Sequence, residues 1–222
     1  MGQHGVYNLF YETIIAENRW MLITNGLGAT VVIALLSLLF GTLLGGCVYL
    51  MSISHKKWLK RTAAVWRFIV RGTPMLVLLL FFFYVVLSGG NGMLAAVVAF
   101  SINFSNLSCS LIQSSIESVG RSQVDAGRAL GFNNLQTLRY IVLPQALHNA
   151  LPAYKFQAVS MIKSTAIVGY VALQDLTHAI ESIRQSTNQT LLPLIIVTII
   201  YFILAWLLCK LLDYIAVKTK KI

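Results

Sequence analysis

Residues 27–51 carry no charged side chain and are almost entirely apolar. Roughly 20 such residues, wound as a helix, cross the hydrocarbon core of a bilayer. Inside lipid the backbone has no water to bond, so a spanning segment must satisfy its own N–H and C=O groups as a helix. Four further apolar runs follow, at about 74–87, 93–115, 153–173 and 191–212. Together they predict an all-α membrane protein with five transmembrane helices in a single domain over 1–222. Composition agrees, since 57% of the chain is hydrophobic and 11% charged, against roughly 25% charged in soluble domains.

The formal net charge of +10 admits a nucleic-acid reading or a membrane one. Basic residues gather on the cytoplasmic side of membrane proteins, and no water-exposed basic face is interleaved with aromatics here. The lipid bilayer is therefore the expected partner, and nucleic acid is not. Cys47, Cys109 and Cys209 each fall in an apolar run, odd in number and without paired spacing. Neither a disulfide framework nor a zinc pattern is expected from them. The four histidines are scattered as well. The first twenty residues are polar and mixed. They are not a basic start followed by a short apolar core and a small-residue cleavage site, so the first run is expected to remain as an uncleaved span.

Topology follows from charge. Segments 56–71, 121–155 and 210–221 hold fourteen of the seventeen basic residues; Arg19 and Arg184 fall on the other face and Lys163 inside a span. This predicts the N-terminus outside and the C-terminus in the cytosol.

Along the first span, Ser37, Gly41 and Gly45 recur every four residues, a small-residue stripe that permits close helix approach. It serves dimerisation or internal packing, with internal packing the default. The basic loop 54–71 ends in TAAVWRFIVR, which is expected to lie along the membrane interface. Re-entry is marked by Arg71, Gly72, Thr73 and Pro74, with Thr73 as a helix cap and Pro74 at the first helical position. The second span is short for a bilayer: either residues before Gly72 extend it, or the helix is broken there. Ser88 to Gly92 forms an uncharged turn.

In the third span Asn103, Asn106, Ser110 and Gln113 fall at helical spacing on one face. Polar groups facing lipid are costly, so this face meets other helices or a hydrated pathway. Four such side chains in register favour the pathway, although interhelical hydrogen bonding also accounts for them. Lys163, followed by Ser164 and Thr165, lies near the middle of the fourth span. An ammonium there costs about 2.5–3.5 kcal/mol on insertion scales. It meets a substrate carboxylate, binds backbone carbonyls across a helix crossing, or snorkels toward the interface. Residues 174–190 read as a polar loop before the fifth span.

Asp125 to Pro144 is polar yet set between spans. Asp125 to Leu130 reads as a short helix ended by Gly131 in the left-handed conformation. Asn133, with Gln136 three residues on, reads as the cap of a second helix, which Pro144 limits at its far end and Pro152 bends or restarts beyond. The result is a helix–Gly–helix element in water on the cytoplasmic side, within the loop 121–145.

These residues resemble the permease subunit of a bacterial ABC importer of the polar amino-acid (histidine/glutamine) type. Asp125, Ala126 and Gly127, then Leu130, Gly131 and Phe132, then Ile141, Leu143 and Pro144 are similar to the family's cytoplasmic "EAA" loop, with the G-x9-I-x-LP spacing present in full. Arg71–Pro74, Lys163–Thr165 and the Gln174–Leu176 turn add to the resemblance. It implies the type I ABC importer permease fold in the bacterial cytoplasmic (inner) membrane. It also implies a second permease subunit, identical or different, and an extracytoplasmic substrate-binding protein. A cytoplasmic ATPase dimer would receive a coupling helix at about 122–132. ATP and Mg would be bound by that ATPase; this chain would bind no cofactor and hydrolyse nothing, in keeping with its lack of a G-x-x-x-x-G-K-[ST] loop.

Asp125 and Gly127 depart from the family's Glu and Ala, and Gly127 should weaken a helix by about 1 kcal/mol relative to Ala. Relatives often carry Gln at Leu78, an acid at Ser110 and an Arg at Gln113. The expectation is an opposite-charge pair lost together, leaving a neutral polar lining and leaning the substrate toward an amino acid with an uncharged side chain. Competing readings are a same-fold permease for another small polar solute, a membrane-embedded enzyme, for which no acidic residue lies in a span, and a structural membrane protein, which leaves the helix–Gly–helix element unexplained.

Overall fold

A computed structural model describes residues 7–8, 10–88, 90–171 and 173–219. Gly89 of the expected turn, Ala172 of the fourth span, His4, and Lys220 and Lys221 of the tail lie outside them. The described residues are helical, with no strand among them. α1 is Arg19–Ile53, α2 Lys57–Gly72 and α3 Met75–Leu80, continued by a wide π-helical segment, Phe81–Val86. α4 is Gly92–Glu117, α5 Arg121–Ala129 and α6 Asn134–Thr137. Another wide segment, Leu138–Val142, leads into α7, Leu143–Ser164, and a tighter 3-10 segment, Thr165–Val171, ends it. α8 is Leu176–Thr187 and α9 Leu191–Thr219. Three helical stretches are long and apolar enough to cross a membrane unaided, and up to five are if each of two broken helix pairs counts as one span.

The chain divides into two compact units. The first comprises residues 1–37, 74–100 and 160–207. Its core joins Ile14, Ile23, Leu176, Ile180 and Ile183, with Leu27, Ile196, Val197, Ile200 and Tyr201 packed around them. The expected polar loop 174–190 is thus largely the helix α8. Asp175 is its N-cap, accepting from the N–H of His178 at 2.9 Å and of Thr177 at 3.2 Å. The Leu176 N–H donates to Thr30 of α1 at 3.1 Å. Leu176, Ala179, Ile180 and Ile183 recur at helical spacing and are buried, which draws this polar-looking segment onto the core.

The second unit comprises residues 38–73, 101–159 and 208–222. Here the small residues of α1 meet α4. A Cβ at Gly41 would stand 2.7 Å from the Phe104 Cβ, and one at Gly45 2.6 Å from the Ser108 Cβ and 2.7 Å from the Ser105 carbonyl oxygen. The stripe therefore serves internal packing in this unit: the two backbones approach too closely for any side chain between them. Trp66 of α2 donates its indole N–H to the Ser105 hydroxyl at 3.2 Å, and the Thr42 and Tyr154 hydroxyls lie 2.9 Å apart. Lys155 of α7 pairs with Asp213 of α9.

Two expectations at proline are corrected. α2 ends at Gly72, so Arg71 and Gly72 close one helix and do not open the next; the helix is broken there. The Thr73 hydroxyl donates back to the Ile69 carbonyl at 2.8 Å, and Pro74 itself occupies the N-cap position, with no side-chain cap. The backbone of Thr73 is extended, as a residue before proline is pushed to be. Pro144 does not end the second loop helix. In the wide segment before it the ladder shifts by one residue, Leu143 N–H reaching the Leu138 carbonyl. A proline lacking its N–H then sits in the first turn of α7 without stopping the helix. Pro152 is likewise carried inside α7 and restarts nothing.

Candidate functional site

The helix–Gly–helix element is built almost as its residues dictate. α5 starts at Arg121, earlier than Asp125, and ends at Ala129. Leu130, Gly131 and Phe132 therefore form the corner beyond it, not its last turn. Gly131 has φ +83°, a conformation open to glycine and strained for other residues. Its N–H donates to the Arg128 carbonyl at 2.9 Å and the Phe132 N–H to the Gly127 carbonyl at 3.0 Å. This pair of bonds is the Schellman closure of a helix end. Asn133 then opens α6 with a full capping box: its side chain accepts from the Gln136 N–H, and the Gln136 side chain accepts from the Asn133 N–H, both at 2.9 Å. The backbone groups at this corner are thus satisfied from within.

Gly127 is buried against the returning chain. A Cβ there would meet the Ile141 Cδ1 at 2.6 Å and the Thr137 Cγ2 at 3.2 Å. The departure from Ala thus lets α5 lie close on the following turn, which offsets the loss of helix propensity expected from sequence. Beneath, Val119, Val142 and Ala146 form a small core with Ile116 and Val124. It anchors the element to the end of α4 and the start of α7. Outward, Leu130 and Leu135 are 74% and 72% exposed; Asp125 and Ala126 are exposed, Phe132 half-buried and Pro144 exposed. The Asp125 side chain makes no hydrogen bond or ion pair among the described residues.

α4 has two polar faces. Ser105 and Ser108 are buried against neighbouring helices, as is Ser115. Asn103, Asn106 and Gln113 are half-buried and Ser110 is exposed. The serines therefore pack within the unit, while the amide face stays open. Arg67 of α2, one of the basic residues of the 54–71 segment, reaches that open face. Its guanidinium donates to the Gln113 Oε1 at 3.2 Å and the Ser110 hydroxyl at 3.4 Å, and the Gln113 Nε2 donates to Glu117 at 2.9 Å. Ser110 and Gln113 are neutral, as expected, but a cation sits against both residues, bridged by an amide to a carboxylate. The contact joins residues 46 positions apart, so no local pattern announces it. In the same unit, an open groove of about 480 Å³ is lined by Ser114, Ser115, Ser118, His148, Asn149 and Pro152 among others.

In the first unit, Lys163 is exposed near the end of α7 and has no polar partner among the described residues. The Ser164 hydroxyl donates to the Ser160 carbonyl at 2.9 Å and the Thr165 hydroxyl to that of Ile162 at 2.7 Å. Thr165 is fully buried, so its side chain serves the helix end where the ladder tightens.

The chain is similar to known transport proteins over most of its length. It is 29% identical to the L-cystine transport system permease protein TcyB of Bacillus subtilis (strain 168), over 88% of this chain and 85% of that protein. It is 28% identical to the histidine/lysine/arginine/ornithine transport system permease protein HisM of Escherichia coli (strain K12), over 84% of each. A solved structure described as an amino acid ABC transporter with histidines superposes with a TM-score of 0.79 at 32% identity, covering 89% of this chain and 94% of that one. The inward-facing MetNI methionine ABC transporter shares the fold, with a TM-score of 0.71 at 20% identity over 92% and 99% of the two chains. Residues 37–220 match the family described as binding-protein-dependent transport system inner membrane component, and the chain belongs to that family.

Proposed function

We propose that the chain is the transmembrane permease subunit of an ATP-driven amino-acid importer. The observation that carries this reading is family membership over 37–220 together with relatives whose names are those of amino-acid permeases. In this reading five spans cross the cytoplasmic membrane, the N-terminus faces outward, and the basic segments lie in the cytosol. A second permease subunit completes the pathway, a binding protein delivers the solute from outside, and a cytoplasmic ATPase supplies ATP and Mg chemistry. The α5–Gly131–α6 corner is the part that meets the ATPase. Its self-capped backbone suits a surface that must keep its shape while loads pass through it. Its exposed Leu130 and Leu135 suit an apolar groove on the partner.

Asn103, Asn106, Ser110 and Gln113 belong to the pathway lining, with Lys163 and Ser164 as further candidates. Arg67 changes the character of that lining: a guanidinium held by Gln113 and Ser110 suits a solute bearing a carboxylate, which every amino acid offers. The test is uptake into proteoliposomes holding the assembled complex, scanned against radiolabelled amino acids. ATP-dependent accumulation of at least one, lost when the binding protein is omitted, is the expected result. Accumulation of only a solute that is not an amino acid would move the cargo to the same-fold alternative.

A further inference from the structure

We infer that the outward face of α2 is a docking surface for anionic phospholipid. The helix has two unlike faces. Ala63 and Val70 are buried, and Trp66 and Arg67 hydrogen-bond to α4. On the opposite side Trp58, Val65 and Ile69 form one stripe at helical spacing, with Phe68 beside it. Their exposures are 63%, 56%, 57% and 82%. Flanking them are Lys56, Lys57, Lys60, Arg61 and Arg71, all exposed. None of these five has a side-chain hydrogen bond or ion pair among the described residues.

Among the described residues no carboxylate of the chain pairs with them. No acidic residue occurs between Glu17 and Glu117, and Glu117 already accepts from Gln113. Arg67 is the one cation of this helix turned inward. The occupant of the outer face must therefore bring negative charge and apolar depth together. A phospholipid leaflet brings both: phosphodiesters for the cations, acyl chains for the stripe. Covalent constraint points the same way. Residues 54–56 join α2 to the apolar α1 and residues 73–74 join it to the apolar α3, so the helix has no length of chain with which to leave the membrane surface.

The inference does not rest on the cargo or on the transport cycle, and its test does not measure transport. The full-length chain in its complex is placed in phosphatidylcholine nanodiscs with trace spin-labelled phosphatidylglycerol or spin-labelled phosphatidylcholine. The motionally restricted fraction is then read by electron paramagnetic resonance. The native chain should retain phosphatidylglycerol in several-fold excess, and raising the salt should shrink the excess. The triple variant K57Q/K60Q/R61Q should lose most of that several-fold excess, while K57R/K60R/R61K keeps it. Equal retention of the two lipids by the native chain would overturn the proposal. So would an undiminished preference in the glutamine variant, whether alone or with loss of the ATPase or of the second permease, which would assign the face to a protein partner.

Discussion

Glycine serves two opposite purposes in the second unit. At Gly41 and Gly45 it removes side chains so that α1 and α4 can touch, and nothing wider fits. At Gly131 a Cβ would meet nothing within 4 Å, and the residue is needed for its backbone angle alone. The first pair is buried in a seam whose only product is the fold. The second stands exposed at a corner already hydrogen-bonded to itself, with apolar side chains left uncovered. Where satisfaction is complete and exposure remains, the remaining surface is there for something else. The difference separates residues whose loss should unfold the chain from residues whose loss should leave it folded and idle.

Substitution can break that contrast. The largest effect is expected at Gly45→Leu, where the new side chain meets backbone and the Ser108 Cβ. Overpacking of about 3 kcal/mol should appear as loss of monodisperse protein on size exclusion in detergent. A Gly131→Val chain should purify normally, because its strain of about 1–2 kcal/mol is local and solvent-exposed. Its substrate-stimulated ATP hydrolysis in the assembled complex should nevertheless fall about ten-fold, and Gly131→Asn should recover part of it. Leu135→Glu should weaken co-purification with the ATPase and leave the thermal midpoint of the isolated chain unmoved. Asn133→Ala removes one half of the capping box, at a cost of about 1 kcal/mol, and should lower coupling less than either. The smallest effect is expected at Asp125→Ala, a partial loss of substrate-stimulated hydrolysis. Full stimulation and full uptake in that variant would remove Asp125 from the contact.

The contrast also marks what the sequence could and could not reveal. The apolar runs, the Ser37–Gly41–Gly45 stripe, Gly131 and the Asn133–Gln136 box were all legible, because each is a local device with a fixed spacing. Pro144 misled because its local rule was overridden by a shifted ladder one turn earlier. Residues 174–190 misled because Asp175, His178, Glu181 and Arg184 drew attention from the helical period of Leu176, Ala179, Ile180 and Ile183, which was present throughout. Thr73, whose place before Pro74 suggests a cap for the helix after it, closes the helix before it. Arg67 was not accessible at all: its partners lie on another helix, and only folding brings them within reach. The buried serines of α4 and its open amides look alike in sequence and separate only once their neighbours are placed. Arg67→Gln in reconstituted complex sharpens that last point; reduced uptake with unchanged thermal stability would place Arg67 in the lining, and the reverse would make it a strut between α2 and α4.

In the proposed function the Gly131 corner transmits the work of an ATPase to this chain. The measurement that tests this is ATP-driven amino-acid uptake in proteoliposomes carrying the complete complex, native or Gly131→Pro, after confirming that both chains are folded and inserted. The variant should stay folded and membrane-inserted while its uptake falls to background. Native uptake rates in the variant would contradict it.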